Sequence, residues 1–257
     1  MTNGADTKTT TMISVITPTR DRVGYLAEAI ASVRASVMAG CDAGFEHLVH
    51  DVGSVDGTAE LLRREAGDRL RVLTSPTPVR ASIARNRLIE IAGGGWIAPL
   101  DDDDILLQRA LFHYAAAIAR DSGVRWFIAG FLHVDSELRY LPGEDYYPWR
   151  FNTPTDMLRA IFRAECFVQG NTCFSKRLFD EVGGYDEEVT MAEDLELVTR
   201  FLLAGAMPVT CDHVGHLHRF HGGNVSTGSN AEKHRADLTA IYTKQADRLQ
   251  ALGVEAP

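Results

Sequence analysis

At 257 residues the chain is long enough to bury the core of one large α/β domain, and 45% hydrophobic with 24% charged content is ordinary for a globular protein. The formal net charge of -9, with no local Lys/Arg cluster to offset it, argues against non-specific nucleic-acid binding. No apolar window reaches about eighteen residues, and the polar start lacks the basic-then-apolar layout of a signal peptide. The expectation is a cytoplasmic protein without a membrane segment, with a disordered tail over residues 1–11. Cys41, Cys166, Cys173 and Cys211 match neither a zinc knuckle nor a disulfide framework, so reduced thiols are expected.

In chain order, the β-branched run 12–17 predicts a first strand that Pro18 ends. From Tyr25 onward Leu26, Ile30, Val33 and Val37 recur at helical spacing, with Gly40 as the stop. Residues 45–50 form a second strand that runs into the turn-rich loop 51–58. A short helix follows over 59–66, closed by Gly67. Residues 70–74 are a third strand, Ser75-Pro76-Thr77-Pro78 a rigid connection, and 81–92 a third helix ended by Gly93-Gly94-Gly95. Residues 96–100 read as a buried strand that delivers the chain to Asp101-Asp102-Asp103-Asp104.

Beyond the aspartates the alternation weakens. A helix is expected over 105–120, a strand over 125–134, and a loop over 141–152 that carries Tyr146, Tyr147, Trp149 and Phe151. A helix over 155–162, an extended stretch over 167–174 and a short helix over 176–181 follow. Glu193-Asp194 opens a further helix closed by Gly205. A strand at 208–211 leads into a stretch holding His213, His216, His218 and His221, and 231–252 reads as one long amphipathic helix. There is no internal repeat, so one domain is expected, with halves at 12–104 and 105–226 and a C-terminal helix at 227–257.

Strands alternating with helices imply a mainly parallel sheet flanked by helices. Ligands in such sheets bind outside the carboxyl ends of the strands, where Pro18, Thr19, Arg20, Asp51 and the aspartate run all fall. Four adjacent carboxylates raise one another's pKa values, and such a cluster stays ionised mainly where a cation compensates it. The structural alternative is a helix N-cap, which needs one aspartate. If the run is extended its side chains alternate, so Asp101 pairs with Asp103 and Asp102 with Asp104, and Asp104 is available to cap the next helix.

The glycine run 93–95 formally fits a dinucleotide fingerprint, but a helix precedes it and a strand follows, the reverse of what that motif requires. Asp51 stands at a strand tip where its carboxylate can accept hydrogen bonds from a base or ribose, while Asp56 is a candidate helix cap. Glu193-Asp194 serves either to stabilise a helix start or to supply a general base. The histidines lack both the spacing and the companion cysteines of a structural zinc site; the readings left open are one histidine completing an aspartate-bound metal and the others as ordinary polar residues of a strand and loop.

Taken together, Ser14-Val15-Ile16-Thr17-Pro18-Thr19-Arg20-Asp21-Arg22, the loop 51–58, Ala84-Arg85-Asn86, Leu100 with the aspartates, Gly183-Gly184-Tyr185-Asp186 and Glu193-Asp194 occur in an order that resembles the GT-A glycosyltransferases, most closely the inverting family 2. Arg219-Phe220-His221-Gly222-Gly223-Asn224-Val225-Ser226 resembles the closing segment of many members. The resemblance spans roughly residues 12 to 226.

It implies a Rossmann-like nucleotide-diphospho-sugar transferase fold and a metal-dependent, inverting transfer from a nucleoside-diphosphate sugar, UDP foremost, to a hydroxyl acceptor such as a soluble small molecule or glycan. Pro18, Thr19 and Arg20 would border the base, with Asp51 hydrogen-bonded to it and Arg85 near the base or diphosphate. Asp101 and Asp103 would hold Mn²⁺ or Mg²⁺, Asp102 the ribose, and His221 would approach the metal or diphosphate. Asp194 would be the base. Arg20 stands where an aromatic is usual, Val52 where a second aspartate is common, and Arg80 where glycine is usual. A non-catalytic sugar-nucleotide-binding module, or a metal-dependent nucleotidyltransferase or phosphohydrolase, are the alternatives from other classes. The sequence gives no oligomeric state.

Overall fold

The computed structural model describes residues 11–143, 149–166, 168, 170–189, 192–222 and 231–257. The tail 1–10, Tyr146, Tyr147, Phe167 and the closing Gly223 to Ser226 lie outside the described residues. Thr11, assigned above to the tail, already belongs to the first strand.

The elements run β1 (Thr11–Thr19), α1 (Val23–Arg34), β2 (Ala43–Val52), α2 (Thr58–Glu65), β3 (Leu70–Ser75), α3 (Ala81–Ile91) and β4 (Trp96–Pro99). There follow β5 (Ile105–Leu106), α4 (Ala110–Arg120), β6 (Trp126–Asp135), α5 (Pro154–Phe162), β7 (Thr172–Ser175) and α6 (Lys176–Val182). The chain closes with α7 (Glu193–Leu203), β8 (Val209–Phe220), α8 (Ala231–Lys244) and α9 (Ala246–Ala251).

The described strands make one eight-stranded sheet in the order β3-β2-β1-β4-β7-β6-β8-β5. From β3 to β4 it is parallel; β7 is antiparallel to both neighbours, β8 is parallel to β6, and β5 is antiparallel to β8. The fold is thus the α/β GT-A type, with a mixed second half. Strand order reverses at β1: β2 and β3 build outward on one side, then α3 crosses back to set β4 on the other. That reversal opens a crevice at the carboxyl ends of β1 and β4, which carry Thr19 and the aspartates.

Alternation along the strands feeds two apolar layers. Ile16, Leu48, Ile97, Trp126, Ile128 and Phe174 face the helices of the C-terminal half, including Leu158, Phe201 and Tyr242. Ile13, Val15, Ala98, Phe127 and Cys173 face α1 and α4 through Val33, Leu111 and Tyr114. A fully buried Leu, Ile or Phe in these layers contributes roughly 1.5–3 kcal/mol. Trp126 adds a satisfied polar end, its Nε1 donating to the Ala206 carbonyl at 2.9 Å.

Several boundaries differ from expectation. Pro18 does not end β1; it pairs in register with His50, and the strand runs on to Thr19. α1 stops at Arg34 and Val37 is exposed, so Gly40 closes a loop. Residues 105–106 form a short strand, and α4 starts only at Ala110. His213, His216 and His218 belong to one long strand, β8, with His221 just past its end; the pairing of β8 with β6 shifts register between Ala129 and Phe131. The C-terminal helix divides at Gln245. The glycine run has a steric cause: a Cβ on Gly94 would lie 2.6 Å from Ser14 Oγ and 2.8 Å from the Met12 carbonyl. All four cysteines are free thiols, and no helix of the described residues is long and apolar enough to cross a membrane.

Candidate active site

The aspartate run is a turn. Asp104 N donates to the Asp101 carbonyl at 3.2 Å, so the alternation expected of an extended segment does not hold. Asp101, Asp103 and Asp104 instead bring one carboxylate oxygen each within 4.8 Å of one another, while Asp102 turns toward β1. Asp104 caps no helix, because a strand follows it. Its Oδ1 accepts from the Arg219 amide at 3.0 Å and its Oδ2 lies 3.3 Å from His218 Nδ1.

On the β1 side, Thr19 Oγ1 donates to Asp102 Oδ2 at 2.7 Å. Arg22 Nη1 donates to Asp102 Oδ1 at 3.2 Å and also to Asp103 Oδ2. His221 Nε2 is 3.0 Å from that same Asp103 oxygen, its ring stacked on Tyr25 at 4.5 Å. Burial pushes the Asp102 carboxyl up to about 7 against the pull of Thr19 and Arg22, and Asp103 and Asp101 add to the rise. Asp104 is likewise raised, to about 6, by burial first and against its bond to His218.

On the opposite side, Arg85 is buried at 3% exposure and donates Nη2 to Asp101 Oδ1 at 2.7 Å. Its Nη1 donates to Glu193 Oε1 and lies 3.6 Å from Asp194 Oδ1. The Tyr185 hydroxyl donates to that Asp194 oxygen at 3.2 Å. Burial raises Asp194 to about 6, against Arg85 and Tyr185, with Glu193 and Asp101 adding to the rise. Asp101 goes the other way: burial would raise it, but Arg85 and then His218 hold it below the usual carboxylate value.

The segment that carries Asp194 is docked onto α3 by Asn86, whose Oδ1 accepts from the Tyr185 amide and whose Nδ2 donates to the Tyr185 carbonyl, both at 2.9 Å. Gly184, at φ +79°, gives the turn a conformation that L side chains rarely adopt. Ala192 takes φ 57° immediately before α7, a strained value for a residue with a Cβ.

The remaining expected residues lie on the rim or behind it. Asp51 is buried, and its Oδ1 accepts from the Ser54 amide at 3.0 Å. Arg20 is exposed and pairs with its neighbour Asp21 at 3.4 Å. The loops after β1 and β2 are bound together: Asp21 N donates to Ser54 Oγ at 2.9 Å and Val55 N to Asp21 Oδ1 at 2.7 Å. Asp56 Oδ2 accepts from the Val23 amide at 2.8 Å, and its Oδ1 from the Thr58 amide at 3.1 Å. The structure thus gathers Thr19, Asp101, Asp102, Asp103, His221, Arg85 and Asp194 around the turn, and keeps Arg20 on the loop after β1 and Asp51 at the end of β2.

Arg22, Tyr185 and Arg219 escaped the sequence reading as site residues. Arg22 carries a usable signal, since a cation three residues past the β1 tip is a natural partner for aspartates at the β4 tip. Arg219 carries none, because its partners come from distant segments: its side chain reaches the Asp103 carbonyl at 2.8 Å, the Ser136 carbonyl at 3.2 Å and Glu28 at 2.5 Å.

Three clustered carboxylates form an oxygen-only donor set, the chemistry Mg²⁺ and Mn²⁺ prefer, and two of the run's acids carry raised pKa values that a cation would relieve. The residues present therefore fit a divalent cation.

A parallel β1–β4 unit with acids at its topological switch point defines a nucleotide-sugar-transferase type of fold. Residues 14–183, well over half of the chain, match Glycosyl transferase family 2, and the chain belongs to that family. TarS of S. aureus, solved in complex with UDP-GlcNAc, superposes with a TM-score of 0.70 at 20% identity, over 94% of this chain and 70% of that one. Mannosyltransferase PcManGT of Pyrobaculum calidifontis, solved with GDP-Man and Mn2+, superposes at 0.64 with 20% identity, over 91% of this chain and 64% of that one. Among curated proteins, the uncharacterized protein y4gI of Sinorhizobium fredii is 26% identical over 76% of this chain and 23% of its own length. The putative teichuronic acid biosynthesis glycosyltransferase TuaG of Bacillus subtilis is 30% identical over 36% of each. The chain thus spans about a quarter to a third of the curated relatives it matches.

Proposed function

We propose that the chain transfers a sugar from a nucleoside-diphosphate sugar, a UDP sugar foremost, to a hydroxyl acceptor with inversion at the anomeric carbon. One observation carries the reading: the Arg85 guanidinium joins Asp101, in the carboxylate turn, to the Glu193-Asp194 helix start. A donor-binding acid and a candidate base are thereby held at one place. In this reading residues 12–104 bind the donor, with Pro18, Thr19, Arg20 and Asp51 toward the base, and residues 105–226 shape the acceptor side.

Asp101 and Asp103, with Asp104 and His221 adjoining, would hold Mn²⁺ or Mg²⁺, which when bound neutralises negative charge on the departing diphosphate. Asp194 takes the proton of the acceptor hydroxyl while that oxygen bonds to the anomeric carbon from the face opposite the leaving group. The bond to the diphosphate oxygen breaks in the same displacement. The raised pKa of Asp194 suits this role, since a base titrating nearer neutrality is a stronger proton acceptor and is still ionised at pH 7. Arg85 orients the carboxylates, and Tyr185 directs the Asp194 oxygen.

UDP is preferred because the TarS complexes carry UDP and UDP-GlcNAc, while the GDP-Man complex of PcManGT makes GDP the competitor. A thermal-shift panel of UDP-, GDP- and dTDP-sugars with Mn²⁺ selects the donor, because a ligand that binds the native state raises its Tm. Product analysis then decides the reaction class. Release of a nucleoside diphosphate is expected; pyrophosphate or free phosphate would reassign the chain to nucleotidyl transfer or phosphohydrolysis.

A further inference from the structure

Two histidines beside the carboxylate turn have no part in the reaction proposed above. His216 and His218, two apart on β8, project from one face of the strand toward Asp104. Asp104 Oδ2 is 3.7 Å from His216 Nε2 and 3.3 Å from His218 Nδ1, and the three atoms all lie within 4.8 Å of one another. The other oxygen of Asp104 is held by the Arg219 amide at 3.0 Å, which aims Oδ2 at the two rings. All three residues are buried; His216 is 4% exposed, and its Nε2 stands 3.7 Å from Asp104 Oδ2.

That last fact separates a metal site from a plain His–Asp pair. One imidazole suffices to pair a carboxylate, and a second, buried with a ring nitrogen turned toward the same oxygen at 3.7 Å, is too far to hydrogen-bond it. A tetrahedral ion with bonds of about 2.0–2.1 Å sets its ligand atoms about 3.3 Å apart, close to both spacings seen here. Two imidazole nitrogens and one carboxylate oxygen also differ in kind from the all-oxygen set of Asp101, Asp103 and Asp104: imidazole suits Zn²⁺ and its neighbours, carboxylates alone suit Mg²⁺ and Mn²⁺.

We propose that Asp104, His216 and His218 form a second cation site, selective for Zn²⁺-class transition metals, which shares Asp104 with the oxygen cluster and leaves its fourth position to solvent. The site does not depend on the donor reading, and its test involves no turnover. Untagged, demetallated full-length chain is dialysed against Zn²⁺ with excess Mg²⁺ present to occupy the oxygen cluster. One Zn²⁺ per chain should be retained.

Since altering an outer partner alone costs about 10–100-fold in metal affinity, His216→Asn and His218→Asn should each weaken Zn²⁺ binding at least about tenfold. Asp103→Ala should leave it unchanged. X-ray absorption on the Zn²⁺-loaded wild type keeps the test independent of variant folding: imidazole scattering is expected, and an all-oxygen shell overturns the proposal. So does Zn²⁺ retention that is unchanged in both histidine variants, or lost only in Asp103→Ala.

Discussion

Two arginines neutralise the carboxylates of the crevice, and they do so on different terms. Arg85 is almost wholly enclosed, its side chain 4% exposed, and is shared by Asp101, Glu193 and Asp194. Arg22 is 22% exposed and serves Asp102 and Asp103 from the rim. A buried guanidinium among three acids has no cheaper place to go, whereas a rim guanidinium can hydrate. The contrast separates Glu193 and Asp194, held by an enclosed cation, from Asp103, whose rim cation a divalent ion would replace in the proposed site, with Asp101 common to both.

The largest effect expected of this division falls on the fixed side. Asp194→Asn should lower the transfer rate by about 10²–10⁴-fold, the range associated with a positioned base, while nucleotide binding with metal stays intact. Equal loss of binding and turnover would reject the assignment. Next, Arg85→Met should cost about 3 kcal/mol, the lower end for an opened buried ion pair because Asp101 is 40% exposed. At roughly 2–4 °C per kcal/mol for a chain of this size, the Tm should fall by at least about 6 °C. An unchanged Tm would mean that the three acids do not need that cation.

On the exchangeable side, Asp103→Ala should weaken nucleotide binding about tenfold or more in calorimetry with Mn²⁺ and leave metal-free binding unaltered. The pH profile comes next. As the proposed base Asp194 would act deprotonated, and its pKa is raised to about 6, so kcat should fall as pH drops through about 6, by about tenfold between pH 7.5 and 5. A flat profile over that interval would remove Asp194 as the base. The smallest change is expected for Arg22→Gln, which should tighten Mn²⁺ binding a few-fold, since Arg22 occupies the same Asp103 carboxylate as the proposed ion. Weaker Mn²⁺ binding would place Arg22 in support of the ion rather than in competition with it.

Much of the first half could be read from the sequence because local and global signals agree there. Runs of β-branched residues alternate with 3.6-residue periodicity, and the polar motifs sit at strand tips that a parallel sheet brings together. The second half reads less well for physical reasons. Ile105 and Leu106 are a short apolar pair that fits helix or strand equally, and pairing with Leu217 and His216 of β8 decides for strand. Aspartate is common in turns, but four in a row do not fix which carboxylate faces where; that is set by partners at Thr19, Arg22, Arg219 and His218, far away in sequence. Histidines that looked like scattered polar residues prove to be spaced along one strand. Asn86 carried a family motif without a reason, and its reciprocal bonds to Tyr185 supply one.

The double use of Asp56 has a consequence for how a donor is received. One carboxylate closes the first turns of both α1 and α2, so the loops after β1 and β2 are fastened to each other before any nucleotide arrives. The loop after β2 cannot swing away without releasing the start of α1. A ligand entering between them meets a wall already set, and little of its binding free energy is lost to ordering the chain.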